Sequence, residues 1–297
     1  MGLETVPVFI LLLLSFASCL VGETVRNDYC KRVVSGISGH FMYCAVTNLM
    51  CMGMLWALSG FPTQASGYTI GLGALFGVLS TLALVLNMKA LEIGPFSYTT
   101  VLTSFSVVIT ALSGFFFWGE ELNGFKIAGI ALMLVSLVLS VKKEESERKT
   151  SLRWFLYVML ATVAFAAIGL LQKIHQSSEY QGELMMFLII SFAAGYVLSQ
   201  ALYMGYRKKE TSATKPQIRK WALWGILVIS GICIAANNVL NTYLAGVMDS
   251  AVFYPLITGV GLILNILACL VIFREKLTRL QWVGVASGSL AAVLLCF

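Results

Sequence analysis

ALEIGPFSYTTVLTSFSVVITALSGFFFWGEELNGFKIAGIALMLVSLVLS, residues Ala90–Ser140, returns 155 positions later as Ala245–Leu295 without a gap. The shift lays Ala90 on Ala245, Thr103 on Thr258, Leu112 on Leu267, Glu120 on Glu275, Leu122 on Leu277, Gly129 on Gly284 and Ala131 on Ala286. In so apolar a chain such identities would carry little alone. The span ends and the Glu-x-Leu turns coincide too, and that gives them weight. Each copy sits in a set of five apolar stretches, an odd number, so the second set must enter a membrane from the opposite side. The expected fold is an all-α membrane protein: ten transmembrane helices in two inverted five-helix repeats, residues 1–147 and 148–297.

A helix needs roughly 20 apolar residues to cross the hydrocarbon. The stretches are Val6–Gly22, Ile37–Leu58, Tyr68–Met88, Ser97–Trp118, Gly124–Val141, Trp154–Leu171, Leu184–Tyr206, Trp221–Ala245, Ala251–Phe273 and Leu280–Phe297. The loops are too short for a folded soluble domain. Tyr68, Trp118, Trp154, Tyr206, Trp221 and Trp282 mark span ends, where amphipathic rings favour the interface. The first stretch could be a signal peptide, with Phe16-Ala17-Ser18-Cys19 as a loose cleavage site. Its n-region should then be positive, yet Glu4 is its one charge, so the span is expected to be retained.

Of the 297 residues, 59% are hydrophobic and 11% charged, with a mean hydropathy of +0.87, too little polar surface for a water-soluble globule. All but two of the 20 Lys and Arg residues lie in the loops after spans 1, 3, 5, 7 and 9; the exceptions are Lys126 and Lys173. Translocation of Lys and Arg is resisted, so the basic loops should be cytoplasmic and both termini outside, in a plasma membrane. The net charge of +6 therefore reads as an orientation signal, with no nucleic-acid partner expected. Seven scattered cysteines without a Cys-x-x-Cys pair, and histidines 40 and 175 far apart, give no metal site, cofactor or disulfide framework.

The chain resembles the drug/metabolite transporter superfamily with two EamA-type repeats. The residues that carry this are Ala90-Leu91-Glu92-Ile93-Gly94-Pro95, Trp118-Gly119-Glu120-Glu121-Leu122 followed by Gly129, and Arg274-Glu275-Lys276-Leu277 followed by Gly284. Gln172-Lys173 at the end of span 6 is similar as well. The resemblance implies transport of a small molecule through a cavity enclosed by spans 1, 3, 4, 6, 8 and 9. Described members usually keep both termini in the cytoplasm. The charge bias here points the other way, and the family includes members inserted in opposite senses.

Span 4 carries Thr99, Thr103, Ser106, Thr110 and Ser113 at steps of four and three, one stripe on a helix. The repeat places Tyr254, Thr258, Gly261, Asn265 and Ala268 on the matching face of span 9. Such a face is costly against lipid and should turn inward, either to bind solute or to let helices approach closely. Tyr254 and Asn265 are too large for spacers and favour binding. Span 8 adds Asn237, Asn238, Asn241 and Thr242, more polar groups than packing alone requires. Pro255 either kinks span 9 or sits in its first turn.

No acidic or basic residue falls mid-span. Glu23, Lys89, Glu92, Glu120, Glu121, Lys173, Asp249 and Glu275 all lie near span ends, where snorkelling or headgroup contact is the default. The Glu120 and Glu275 turns are expected to cap helices or brace loops. Small relatives in the resembled family keep a carboxylate in span 1, and this chain has none. Neutral or zwitterionic substrates are thus expected, moved by alternating access. Asn237, Asn241, Thr103, Thr110, Tyr254, Thr258 and Asn265 would bind the substrate, and Tyr98, Trp118, Phe253 and Pro255 would gate or stack. A catalytic cluster is missing from the spans, so an enzyme is not expected. A non-transporting scaffold or receptor is the rival reading, and a homodimer is compatible with either.

Overall fold

The computed structural model describes residues 5–32, 36–93, 99, 102–140, 151–207, 220–272 and 278–295. Among them are ten α-helices: α1 Val8–Arg32, α2 Gly36–Leu58, α3 Gly67–Ile93, α4 Ser106–Trp118, α5 Gly124–Ser140, α6 Leu152–Gln176, α7 Leu184–Arg207, α8 Lys220–Val247, α9 Ser250–Ile272 and α10 Arg279–Leu294. A 3₁₀ turn, Gln181–Glu183, precedes α7, and the described residues contain no strand. Each helix falls on one apolar stretch. Val8–Arg26, Ile37–Leu58, Gly67–Ile93, Leu152–Gln176, Gln181–Arg207 and Leu223–Val247 are long and apolar enough to cross a bilayer. Leu102–Trp118, Gly124–Leu139 and Ser250–Gly261 are apolar but shorter.

Three helices run five or more residues past the expected spans, α3 among them at Ile93 against Met88. α1 passes through Gly22 to Arg32, since one helical Gly costs only about 1 kcal/mol and no Pro follows. α6 continues past Leu171 to Gln176 because its last polar side chains find partners, described below.

The helices form two compact units: Met1–Thr81 with Ile174–Tyr243 (unit 1), and Leu82–Lys173 with Leu244–Phe297 (unit 2). Each joins one segment from the first half of the chain to one from the second. This partition of the fold is a different matter from the sequence halves 1–147 and 148–297, which concern the internal repeat.

In unit 1, α2 packs on α7, and small residues bring backbones close. A methyl on Gly195 would come within 2.9 Å of Asn48 Nδ2, and Gly77 lies against the Ser191 carbonyl. Tyr29, Tyr43 and Leu227 form a buried cluster, with the two rings 4.8 Å apart. In unit 2, α4 packs on α9 and α5 on α10 around Ala111, Ile130, Met133, Ala251, Ala291 and Leu295. There Ser136 Oγ donates to the Gly284 carbonyl at 2.6 Å, and Gly129 faces the Ala291 carbonyl and Leu295. Large apolar side chains such as Phe116, Phe117 and Leu152 point outward, as they would toward lipid.

Candidate functional site

Span 8 delivers its amides to span 1. Within unit 1, Ser15 Oγ donates to Asn241 Oδ1 at 2.6 Å, and Asn241 Nδ2 donates to Asn237 Oδ1 at 3.0 Å. Asn237 Nδ2 closes the ring by donating to the Ser15 carbonyl at 3.2 Å. The helical spacing of four aligns the two amides on α8, so one serine on α1 can serve both. Ser15 is buried, whereas both Asn side chains are half-buried. Asn238 turns back to the Ile234 carbonyl at 2.9 Å, and Thr242 is fully buried. Ser15 was not among the expected site residues. Its signal in the sequence was a hydroxyl inside a mostly apolar span, which also holds Ser18.

The polar stripe of span 4 does turn inward within unit 2. Thr99, Thr110 and Ser113 are buried, and Thr103 and Ser106 half-buried. Most of the hydroxyls bond back along their own helix. Thr103 Oγ1 donates to the Thr99 carbonyl at 3.0 Å, Thr110 Oγ1 to Val107 at 3.0 Å, and Ser113 Oγ to Thr110 at 2.6 Å. Thr99 Oγ1 instead accepts the Trp154 indole N–H at 2.8 Å. Tyr254 is buried, and its hydroxyl donates to the Gly169 carbonyl at 2.6 Å. Gly169 has room for no side chain: a methyl there would lie 2.9 Å from Thr110 Cγ2 and 3.0 Å from Tyr254 Cε1. The contact therefore joins Thr110 and Tyr254, two expected binding residues, to α6.

Phe253 is 1% exposed and packs edge-on against Tyr254 at 5.0 Å, so motion of α9 would have to precede any stacking on a solute. Pro255 is the sixth residue of α9, past the first turn, and cannot donate to the Ala251 carbonyl. Thr258 is half-buried. Tyr98 and the side chain of Asn265 lie outside the described residues, as do Gly94-Pro95 and Glu275.

Lys173 and Glu120 need a correction. Snorkelling was the default for both, yet their side chains are 7% and 8% exposed and form an ion pair at 3.0 Å. Their surroundings explain the burial. Gly119, at φ 64°, ends α4 in the left-handed conformation and turns Glu120 inward. One Glu120 oxygen accepts the Ser250 N–H at 2.6 Å, the other the Ser250 hydroxyl at 3.1 Å. A carboxylate thus caps the positive end of α9. Lys173 Nζ donates to the Met248 carbonyl just beyond α8 at 2.7 Å, and lies 5.9 Å from the half-buried Trp118 ring. Two helix termini of opposite polarity are held by two opposite charges. The expected capping role of Glu120 is present in this geometry. Nearby, Lys126 pairs with Asp249 at 2.7 Å, with Asp249 half exposed.

An open apolar groove of about 500 Å³ on unit 1 is lined by Val78, Ile190, Ala193, Ala194 and Val197 among others. It includes none of the residues expected to bind substrate. The polar clusters carry more chemical information than the groove, because a lipid-facing surface has grooves of this kind without function.

Residues 7–142 match the EamA-like transporter family. A solved structure described only as "Crystal structure of protein" superposes with a TM-score of 0.75, covering 97% of this chain and 98% of that one at 14% identity. At that identity the likeness concerns the fold alone. No curated protein sequence matches the chain. Several apolar helices and the family match make this a multi-pass membrane protein.

Proposed function

We propose that this protein, whose residues 7–142 match the EamA-like transporter family, moves a small neutral or zwitterionic organic metabolite by alternating access. The observation that carries this reading is the ring of Ser15, Asn237 and Asn241, uncharged and half-buried among apolar helices. Its bonds use one of the two amide hydrogens of Asn241 and one of the two lone-pair sites on its oxygen. The remaining donor and acceptor suit a solute bearing both. The substrate role proposed for Thr103, Thr110, Tyr254, Thr258 and Asn265 rests on the inward polar face of span 4 and its repeat in span 9. Tyr98, Trp118, Phe253 and Pro255 are proposed to gate. The test is counterflow in liposomes with labelled amino acids, nucleosides and sugars. Exchange of one class supports transport; an inert protein across the panel favours the scaffold or receptor reading.

The inverted ten-span arrangement belongs to the same proposal. α5 begins at Gly124 and α10 at Arg279, 155 positions apart. The contacts between them are reciprocal: Ser136 meets Gly284, and their repeat partners Ala291 and Gly129 also face each other. A two-fold relation produces this pattern. Three fifth-neighbour pairs pack together, α2 with α7, α4 with α9 and α5 with α10.

We further propose a plasma-membrane location with basic loops inside and both termini outside. The two lysines off the basic side are both neutralised by carboxylates, Lys126 by Asp249 and Lys173 by Glu120. Burial of Glu120 makes it a poor labelling site, whereas Glu121 and Arg279 are exposed. In a background lacking the native cysteines, Glu121→Cys should react with an impermeant maleimide on intact cells. Arg279→Cys should react only after permeabilisation. The reverse pattern would invert the topology.

A further inference from the structure

The two histidines stand apart in the sequence, yet in unit 1 His175 is tied into a line of hydrogen-bonding side chains. Its ring is fully buried near the end of α6 and stacks on Phe187 at 4.4 Å. Both nitrogens are occupied. Nδ1 lies 3.0 Å from Gln176 Nε2, and Nε2 lies 3.2 Å from Thr69 Oγ1 in the first turn of α3. Thr69 Oγ1 is 3.0 Å from Ser66 Oγ, and Ser66 Oγ is 2.8 Å from Glu183 Oε2. The Ser66 N–H also donates to Glu183 at 3.0 Å, which fixes the carboxylate in place. A continuous line of hydrogen-bonding groups therefore runs from a half-buried carboxylate, through two hydroxyls, to an imidazole shielded from water.

We propose that His175, Thr69, Ser66 and Glu183 form a proton-binding site in which the imidazole holds the proton and Glu183 supplies both its entry and its countercharge. Hydroxyls donate and accept, so the line can point either way. In one sense the ring Nε2–H donates to Thr69, Thr69 to Ser66, and Ser66 to the Glu183 carboxylate. Uptake uses the other sense, with the ring initially protonated at Nδ1. A proton arriving on Glu183 passes to Ser66 Oγ, Ser66 gives its own to Thr69, and Thr69 gives its own to Nε2. Glu183 ends as a carboxylate and His175 as an imidazolium, while each hydroxyl keeps one hydrogen. The Gln176 amide makes both states tolerable. Its NH₂ donates to a bare Nδ1, and turned over its oxygen accepts from Nδ1–H, so neither state strands a buried polar atom.

The other charged or titratable groups near the ring are accounted for. Lys173, two residues earlier on α6, is held by Glu120 and the Met248 carbonyl. Glu179 and Tyr180 lie in the connection that follows, where Glu179 hydrogen-bonds Tyr180 and raises the phenol above its ordinary range. Tyr68 on α3 packs on the Tyr180 ring at 5.3 Å. Phe187, the contact from α7, has no charge. Glu183 is thus the carboxylate linked to the imidazole by hydrogen bonds.

The inference stands apart from the transport reading, because a chain that moved no solute would still bind this proton. The chain has only two histidines, so the His40→Gln variant leaves one imidazole to observe. Full-length protein with ¹⁵N-labelled histidine, in lipid nanodiscs, is titrated from pH 5 to 8 by NMR. One reversible transition of the ring nitrogens is expected. With Glu183→Gln added, the protonated-to-neutral ratio at the original midpoint should fall roughly three- to tenfold, the scale of a lost neighbouring charge. Should His40→Gln fold poorly, wild-type and His175→Gln spectra assign the same signal by difference. A ring that stays neutral across the range, or titrates identically without the Glu183 carboxylate, overturns the proposal.

Discussion

Lys173→Ala should cost about 3–5 kcal/mol of stability, the usual penalty for removing one partner of a buried ion pair. The loss arises mainly from what stays behind. Glu120 would remain almost fully buried, with the Ser250 N–H and hydroxyl as its remaining donors among the described residues, and the Met248 carbonyl would lose the ammonium that caps it. Thermal melts in detergent should show the drop directly. Lys126→Ala provides the contrast. Its partner Asp249 is half exposed, so water screens the pair and the change should stay within about 1 kcal/mol. Combining Lys173→Met with Glu120→Gln should recover much of the loss, since both charges leave the interior together. Equal melting of Lys173→Ala and wild type would mean that the pair is solvated.

Asn241→Ala should reduce solute exchange at least tenfold while barely moving the melting temperature. The residue makes one bond to Ser15 and one to Asn237, and side-chain hydrogen bonds between membrane helices average about 0.6 kcal/mol. A tenfold loss of rate corresponds to about 1.4 kcal/mol in a barrier. If Asn241 serves only packing, exchange should follow folded protein and fall little. Binding of solute by Asn241 separates the two readouts. Asn238→Ala is the internal comparison, because that amide satisfies itself on the Ile234 carbonyl and should affect neither.

Much of this architecture was readable because a bilayer imposes a simple rule. An apolar run of sufficient length becomes a helix, and all ten stretches did. Hydroxyls spaced four and three apart had to share a face, and that face does turn inward. Partner choice was not readable. Lys173 and Glu120 stand 53 positions apart, and nothing local distinguishes an inward-turned charge from one reaching for headgroups. The left-handed Gly119 makes the difference, together with two helix ends that offer matching partial charges.

The same limit hid Ser15 and His175. A serine in an apolar span has many bland explanations, and only the 226-residue separation closed by folding reveals its tie to Asn241. His175 looked isolated because sequence neighbours were the natural place to seek ligands. Its partners are Thr69, 106 positions away, and the adjacent Gln176. Long-range hydrogen bonds leave little trace in a single sequence, since the residue types that make them also serve as helix-packing groups.

The account stands most directly on counterflow in liposomes, comparing wild type with Asn241→Ala at equal protein and equal melting temperature. It expects wild type to exchange one class of neutral or zwitterionic metabolite and the variant to do so at least tenfold more slowly. A wild type inert toward every class, or a variant that exchanges at the wild-type rate, would contradict it.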